Sequence, residues 1–267
     1  MDKRKVGCIG TGVMGSALME SVIRVIGCEQ VLVYDHDTLK AEAFSRKTGC
    51  TLASSNKEVA SGADYVFLGI KPQFLQAVLE EITPSINPDT IVVSMAAGIK
   101  LEFIKKHLGG QAKLIRIMPN TPAAVGSGMI AIASESAVSD AELQEFERIL
   151  SGAGISERTG ENLMDAVTAV SGSGPAYGYL FIEALSDAAV KMGMSRHQAI
   201  RYAAQTLKGA AEMVLQTGTH PAALKDGVCS PAGTTIAAVT KLEEKGFRTA
   251  IIEAALAAWE RSKELGR

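Results

Sequence analysis

A chain of 267 residues has room for one large or two medium domains, and 47% hydrophobic with 21% charged residues is an ordinary globular composition, which excludes a disordered or fibrous chain. Its 27 basic and 29 acidic residues leave a net charge of −2, so neither nucleic acid nor an anionic membrane is recommended as partner, and no basic block or aromatic-interleaved basic stripe adds to that. Four cysteines (Cys8, Cys28, Cys50, Cys229) stand far apart without a CxxC pair or a close histidine, a spacing that excludes a metal-ligand pattern and fits free thiols in a reducing cytoplasm.

The N-terminus runs almost directly into the apolar stretch 6–9 with no long apolar leader, so neither a signal peptide nor a membrane span is expected. Short apolar runs bounded by Gly, Asp, Pro or Asn predict strands at 6–9, 31–34, 65–70, 91–94, 114–117 and 129–132. Between them, helices are predicted at 16–26, 38–48, 74–82 and 139–150. This alternation predicts a parallel, doubly wound α/β sheet.

The run Gly10, Thr11, Gly12, Val13, Met14, Gly15 follows the first strand and opens the first helix, the context a GxGxxG needs to mean dinucleotide binding. Gly10 permits the tight turn, Gly12 lets a pyrophosphate approach the backbone, and Gly15 allows close packing of helix on strand. Asp35, at the end of the second strand and twenty positions after Gly15, accepts hydrogen bonds from a ribose diol and repels a 2′-phosphate. Lys40, Arg46, Lys47 and His36 stand nearby, and the choice between NADH and NADPH stays open on the residues. Gly69, Ile70, Lys71 and Pro72 close the third predicted strand, Ala96-Ala97-Gly98 follow the next, and Asn120-Thr121-Pro122 follow another. Each is a plain turn or a ligand contact, and three such turns at successive strand ends point to one cleft.

Past Gly160 the strand signals stop, and helices are predicted at 176–192, 196–216, 235–244 and 248–265. Residues 1–160 thus make a dinucleotide-binding domain and 161–267 a helical one. Four helices form a modest core that a second subunit would complete. Ser171-Gly172-Ser173-Gly174-Pro175 reads as a helix entry or an anion site, and Glu161 lies at the domain junction. In the stretch 224–236, Ser230, Pro231, Gly233, Thr234 and Thr235 crowd the start of a helix. An ordinary cap is one reading. The other is a carboxylate site, with unpaired N–H groups at the helix start and two hydroxyls beside them. Cys229 within it reads as a buried structural thiol.

Taken together, Gly10 to Gly15, Lys71-Pro72, Ala96-Ala97-Gly98, Asn120-Thr121-Pro122, residues 171–177, Val190-Lys191-Met192-Gly193, His220-Pro221, residues 224–236 and Gly246-Phe247-Arg248 give a chain that resembles the Δ1-pyrroline-5-carboxylate reductases over nearly its whole length. The resemblance implies an N-terminal Rossmann domain and an all-helical C-terminal dimerisation domain, self-associating as a dimer or an assembly of dimers. It implies reduction of a cyclic imino acid to proline by NADPH or NADH, the last step of proline synthesis. Carried over by position, Gly10–Gly15, Asn56, Gly69, Ile70, Lys71, Pro72 and Ala97 contact the cofactor. Ser230, Gly233, Thr234 and Thr235 hold the substrate, Thr235 near the ring nitrogen as the catalytic group, and Glu161 lies nearby. No metal is implied. Many relatives carry a small polar or basic residue where Asp35 stands and favour NADPH, so Asp35 is a departure.

Two other readings compete. A 3-hydroxyacid dehydrogenase of similar build would need a lysine acid–base on a helix of the second domain, and Lys191 is the candidate. A non-catalytic dinucleotide sensor would have no use for residues 224–236.

Overall fold

The computed structural model describes residues 4–110 and 112–266. Two compact units emerge. One runs up to Ser173 and takes in the chain again from Ala258, and the other is Gly174–Ala257.

The first unit is built on eight strands: β1 (Val6–Ile9), β2 (Val31–Tyr34), β3 (Thr51–Leu52), β4 (Tyr65–Leu68), β5 (Ile91–Ser94), β6 (Lys113–Met118), β7 (Gly128–Ser134) and β8 (Gly154–Arg158). They lie in the order β3-β2-β1-β4-β5-β6-β7-β8. Helices α1 (Val13–Ile26), α2 (Thr38–Thr48), α3 (Asn56–Gly62), α4 (Pro72–Ile82), α5 (Leu101–His107) and α6 (Asp140–Leu150) connect them, and the short α7 (Met164–Val167) follows β8. Strands such as Val-Gly-Cys-Ile and Tyr-Val-Phe-Leu are fully buried, because helices cover both faces and every side chain meets a packed layer. Alternate residues sort accordingly. Tyr65 and Phe67 stack on Phe146 of α6 at 5.6 and 5.7 Å between ring centres, while Val66 and Leu68 join Val59, Leu75, Leu79 and Ile104 on the other side.

Two differences from the expected pattern have simple causes. The sheet is parallel from β3 through β6, but β7 pairs antiparallel with β6, with Ile117 opposite Ile132. Only residues 119–127 separate these strands, too few for a crossover helix, so the chain turns back beside the strand it has just left. β3 and β8 escape the sequence pattern because both are edge strands with little buried surface, and β3 is only two residues long. Thr51 and Leu52 are exposed, and Ile155 is the sole large apolar residue of β8. The third predicted strand also stops at Leu68, leaving Gly69 and Ile70 to the turn, and α1 starts at Val13 rather than at residue 16.

The second unit contains α8 (Gly174–Lys191), α9 (Arg196–Thr217), α10 (Pro221–Val228), α11 (Thr234–Glu244) and the first part of α12 (Phe247–Leu265). The short α10 was not predicted. α8 and α9 form a hairpin turned at Gly193, whose φ of 102° favours glycine, and Ser195 caps α9 through the N–H of Gln198. Small residues dominate what this unit buries: Ser186, Ala189, Ala199 and Ala203. Tyr179, Leu180, Tyr202, Leu215, Ile252 and Leu256 stay exposed. Among the described residues no helix is long and apolar enough to cross a membrane.

Candidate active site

The strand order reverses between β1 and β4, and in such sheets ligands bind outside the carboxyl ends of the strands at that point. Gly10 leaves β1 with φ 100°, and a side chain there would collide with the Gly69 carbonyl, 2.6 Å from an added Cβ. Gly15 and Gly69 are equally tight, each facing the Gly10 carbonyl at 2.1 and 2.7 Å from an added Cβ. These three glycines let the turn after β1, the first turn of α1 and the end of β4 nest together. Gly12 differs. An added Cβ there would meet nothing within 4 Å, and Gly12 caps α1 without any side-chain acceptor for the helix N–H groups. An open space before unpaired N–H groups suits a pyrophosphate, so these residues fit a dinucleotide. Val13, 82% exposed, and half-buried Met14 border that space.

Asp35 is drawn into the same turn. Its Oδ2 accepts from the Thr11 backbone N–H at 2.6 Å and the Thr11 hydroxyl at 3.1 Å, and its Oδ1 accepts from the Asp37 N–H at 2.9 Å. Beneath it Cys8 is fully buried. Burial first, then the Asp35 and Cys50 charges, push its thiol up to about 12, so it stays protonated and donates to the Gly10 carbonyl at 3.3 Å. All four cysteines are free thiols, and Cys229 is only half-buried, contrary to expectation, at the end of α10, a helix that buries none of its residues.

The other strand ends bring Ile70, Lys71, Pro72 and Ala97 to the same edge of the sheet. Lys71 caps α4, with Pro72 as its first residue, where the missing N–H costs nothing. Ala97 packs against the cluster of Met118 and Met164. Asn56 opens α3, and its amide donates to Glu81 at 2.8 Å. Asn120, nearly buried, bridges two segments by accepting from the Met129 N–H at 2.9 Å and donating to the Ser171 carbonyl at 3.0 Å.

Glu161 is engaged inside the sheet unit. Its Oε1 accepts from the Leu101 N–H at 2.6 Å, at the start of α5, and from the guanidinium of Arg116 at 3.1 Å. Arg116 is 3% exposed and sits on β6 opposite Ser94, so the pair ties β6 to the turn carrying Ala97. Sequence reading missed Arg116, although a lone charge in the apolar run Lys-Leu-Ile-Arg-Ile-Met signals a buried partner.

In the helical unit, α11 begins at Thr234 with Gly233 as its cap, again with no side-chain acceptor at the helix start. The Ser230 hydroxyl lies 2.2 Å from where a Cβ on Gly233 would sit, and Ala232 takes a φ of 55° to bring the chain round. Ser230 and Thr234 are exposed and Thr235 half-buried, so hydroxyls and free N–H groups gather at one helix start. That arrangement can hold a carboxylate. Lys191, the alternative acid–base, is exposed in the last turn of α8. No group of metal-binding side chains occurs among the described residues.

Comparison with known proteins agrees with this anatomy. Residues 161–265 match the family profile described as pyrroline-5-carboxylate reductase dimerisation, and residues 5–98 match one described as NADP oxidoreductase, coenzyme F420-dependent. The chain is 45% identical to the pyrroline-5-carboxylate reductase of Escherichia coli over 99% of both chains, and 43% identical to that of Synechocystis over 98% of both. The crystal structure of Plasmodium falciparum pyrroline carboxylate reductase with NADP bound matches it at a TM-score of 0.90 and 33% identity, covering 100% of both chains. Identity of that degree along the entire length makes this chain a member of the pyrroline-5-carboxylate reductase family.

Proposed function

We propose that this protein reduces L-Δ1-pyrroline-5-carboxylate to L-proline with NADPH or NADH, the last step of proline synthesis, in the reducing cytoplasm and as a dimer or an assembly of dimers. The observation that carries the reading is the start of α11, where a glycine-capped helix offers unpaired N–H groups beside Ser230, Thr234 and Thr235. Those N–H groups take the substrate carboxylate, and the partial positive charge of the helix end favours the anion. The Thr235 hydroxyl hydrogen-bonds at the ring nitrogen and orients the imine, while Ser230 and Thr234 complete the polar wall. Gly12 and the start of α1 hold the pyrophosphate, Asp35 the adenosine ribose, and Asn56, Gly69 to Pro72 and Ala97 line the rest of the dinucleotide. Glu161 contributes through the Leu101 N–H and the Arg116 guanidinium that it holds.

Bound NAD(P)H supplies a hydride. C5 of the imine accepts it, and the ring nitrogen, protonated when the substrate binds, keeps its proton and becomes the amine of proline. Because the substrate brings that proton, the side chains have only to bind and orient. Orientation alone is worth up to about 7–11 kcal/mol in well-aligned systems.

The test follows nicotinamide absorbance on addition of pyrroline-5-carboxylate, with a 3-oxo acid as control, for the native chain and for Thr235→Ala. Rapid oxidation with the imine alone is expected. Thr235→Ala should lose about 10- to 100-fold in kcat/KM, the value of one hydrogen bond to a charged group, with cofactor affinity nearly unchanged. A folded, cofactor-binding protein inert toward the imine would overturn the reading, and a fully active Thr235→Ala would remove that residue from it.

A further inference from the structure

The turn after β2 carries more information than the presence of a nucleotide site. Resting on the reading of the sheet unit as a dinucleotide site, we propose that Asp35 makes this chain discriminate against the 2′-phosphate of NADPH and select NADH.

An ionised carboxylate has about four acceptor positions. Among the described residues three are filled: Oδ2 takes the Thr11 N–H and hydroxyl, and Oδ1 takes the Asp37 N–H. One position remains, on Oδ1, and it can receive one hydroxyl donor. A ribose 2′-hydroxyl satisfies it, whereas a phosphate at that carbon presents only oxygens that repel it. The three bonds also hold Asp35 in place. Thr11 is 5% exposed, so the carboxylate cannot swing away from an incoming phosphate without leaving a buried N–H unpaired.

The surrounding charges do not reverse this. Asp37 adds a second carboxylate two residues on, and Lys40 is already paired with it at 3.0 Å. That contact depresses the Asp37 carboxyl below its ordinary value and raises the Lys40 ammonium, so both remain ionised. Further along α2, Arg46 faces Glu42 at 3.8 Å and Lys47 faces Glu20 at 2.7 Å. The cations next in sequence to this turn therefore have acidic partners, and the turn itself presents a net negative face.

Dissociation constants for NADH and NADPH, measured by nicotinamide fluorescence without any imine, test the proposal on the native chain, Asp35→Ser, Asp35→Asn and Lys40→Ala. NADH should bind about tenfold or more tightly than NADPH at low salt, with the gap narrowing as salt screens the repulsion. Asp35→Ser should close most of the gap by gaining NADPH affinity. Asp35→Asn keeps an acceptor for the Thr11 N–H and should do the same should the serine variant fold poorly. Lys40→Ala should leave the ratio within about twofold. Equal or tighter NADPH binding by the native chain, a ratio unmoved by both Asp35 variants, or NADPH affinity lost in Lys40→Ala would overturn the proposal. Selective NADH binding without imine reduction would instead sink the reductase reading and leave this inference standing.

Discussion

Gly12 and Gly15 stand three residues apart in one turn, yet a methyl group at each would meet opposite surroundings. At Gly15 it would lie 2.1 Å from the Gly10 carbonyl, a rigid backbone atom, and at Gly12 it would meet nothing. Gly12 also has an ordinary extended conformation, φ −68°, that alanine adopts without strain. Gly15→Ala should therefore destabilise the protein by about 3 kcal/mol, seen as a lowered Tm, with the turn forced apart. Gly12→Ala should keep its Tm and lose about tenfold in cofactor affinity, because the methyl occupies room the pyrophosphate needs. A Gly12→Ala protein with native affinity would place the pyrophosphate elsewhere. The packing roles of Gly10 and Gly15 were legible in the sequence, since only glycine solves those steric problems. The Thr11–Asp35 and Arg116–Glu161 contacts were not, because they join residues 24 and 45 positions apart that only the folded sheet brings together.

Among the elements, α6 shows how a local signal becomes tertiary. Ser139 and Glu142 form a reciprocal cap, the serine side chain accepting from the Glu142 N–H while the Glu142 carboxylate accepts from the Ser139 N–H at 2.8 Å. Lys113, at the start of β6, reaches the same carboxylate at 2.5 Å. Burial alone would raise the Glu142 carboxyl, but the Lys113 and Ser139 hydrogen bonds outweigh it and pull the group down from 4.5 to about 2. A carboxyl depressed on folding favours the folded state above its unfolded value, and that gain disappears as the pH falls from about 4.5 to about 2. Glu142→Gln should accordingly cost about 2 kcal/mol at neutral pH and nothing near pH 2, read as converging Tm curves. Parallel curves for the two proteins would mean that the cap carries no charge-dependent stability. The Ser-x-x-Glu pattern is local and visible in the chain, whereas Lys113 is supplied by the sheet.

At the scale of the whole molecule, the two units bury their residues differently. The sheet unit has a continuous apolar interior on both faces, while the helical unit buries chiefly alanine and serine and exposes Tyr179, Leu180, Tyr202, Leu215 and Ile252. Exposed large apolar residues on that scale mark an association surface. Light scattering should give the mass of a dimer or an even multiple, and Tm should rise with protein concentration, as mass action requires when association stabilises the fold. A monomer with full imine-reducing activity would overturn the dimeric proposal.

The α/β alternation, the nucleotide turn, the helical second half and the family are legible along the chain. Each rests on periodicity, on glycine sterics or on motifs that are contiguous along the chain. Tertiary structure alone decided the reversal at β7, the edge strands β3 and β8, and the partners of Asp35 and Glu161. An edge strand with little buried surface leaves little pattern on the sequence, and a carboxylate's partners depend on which strand ends the sheet sets side by side.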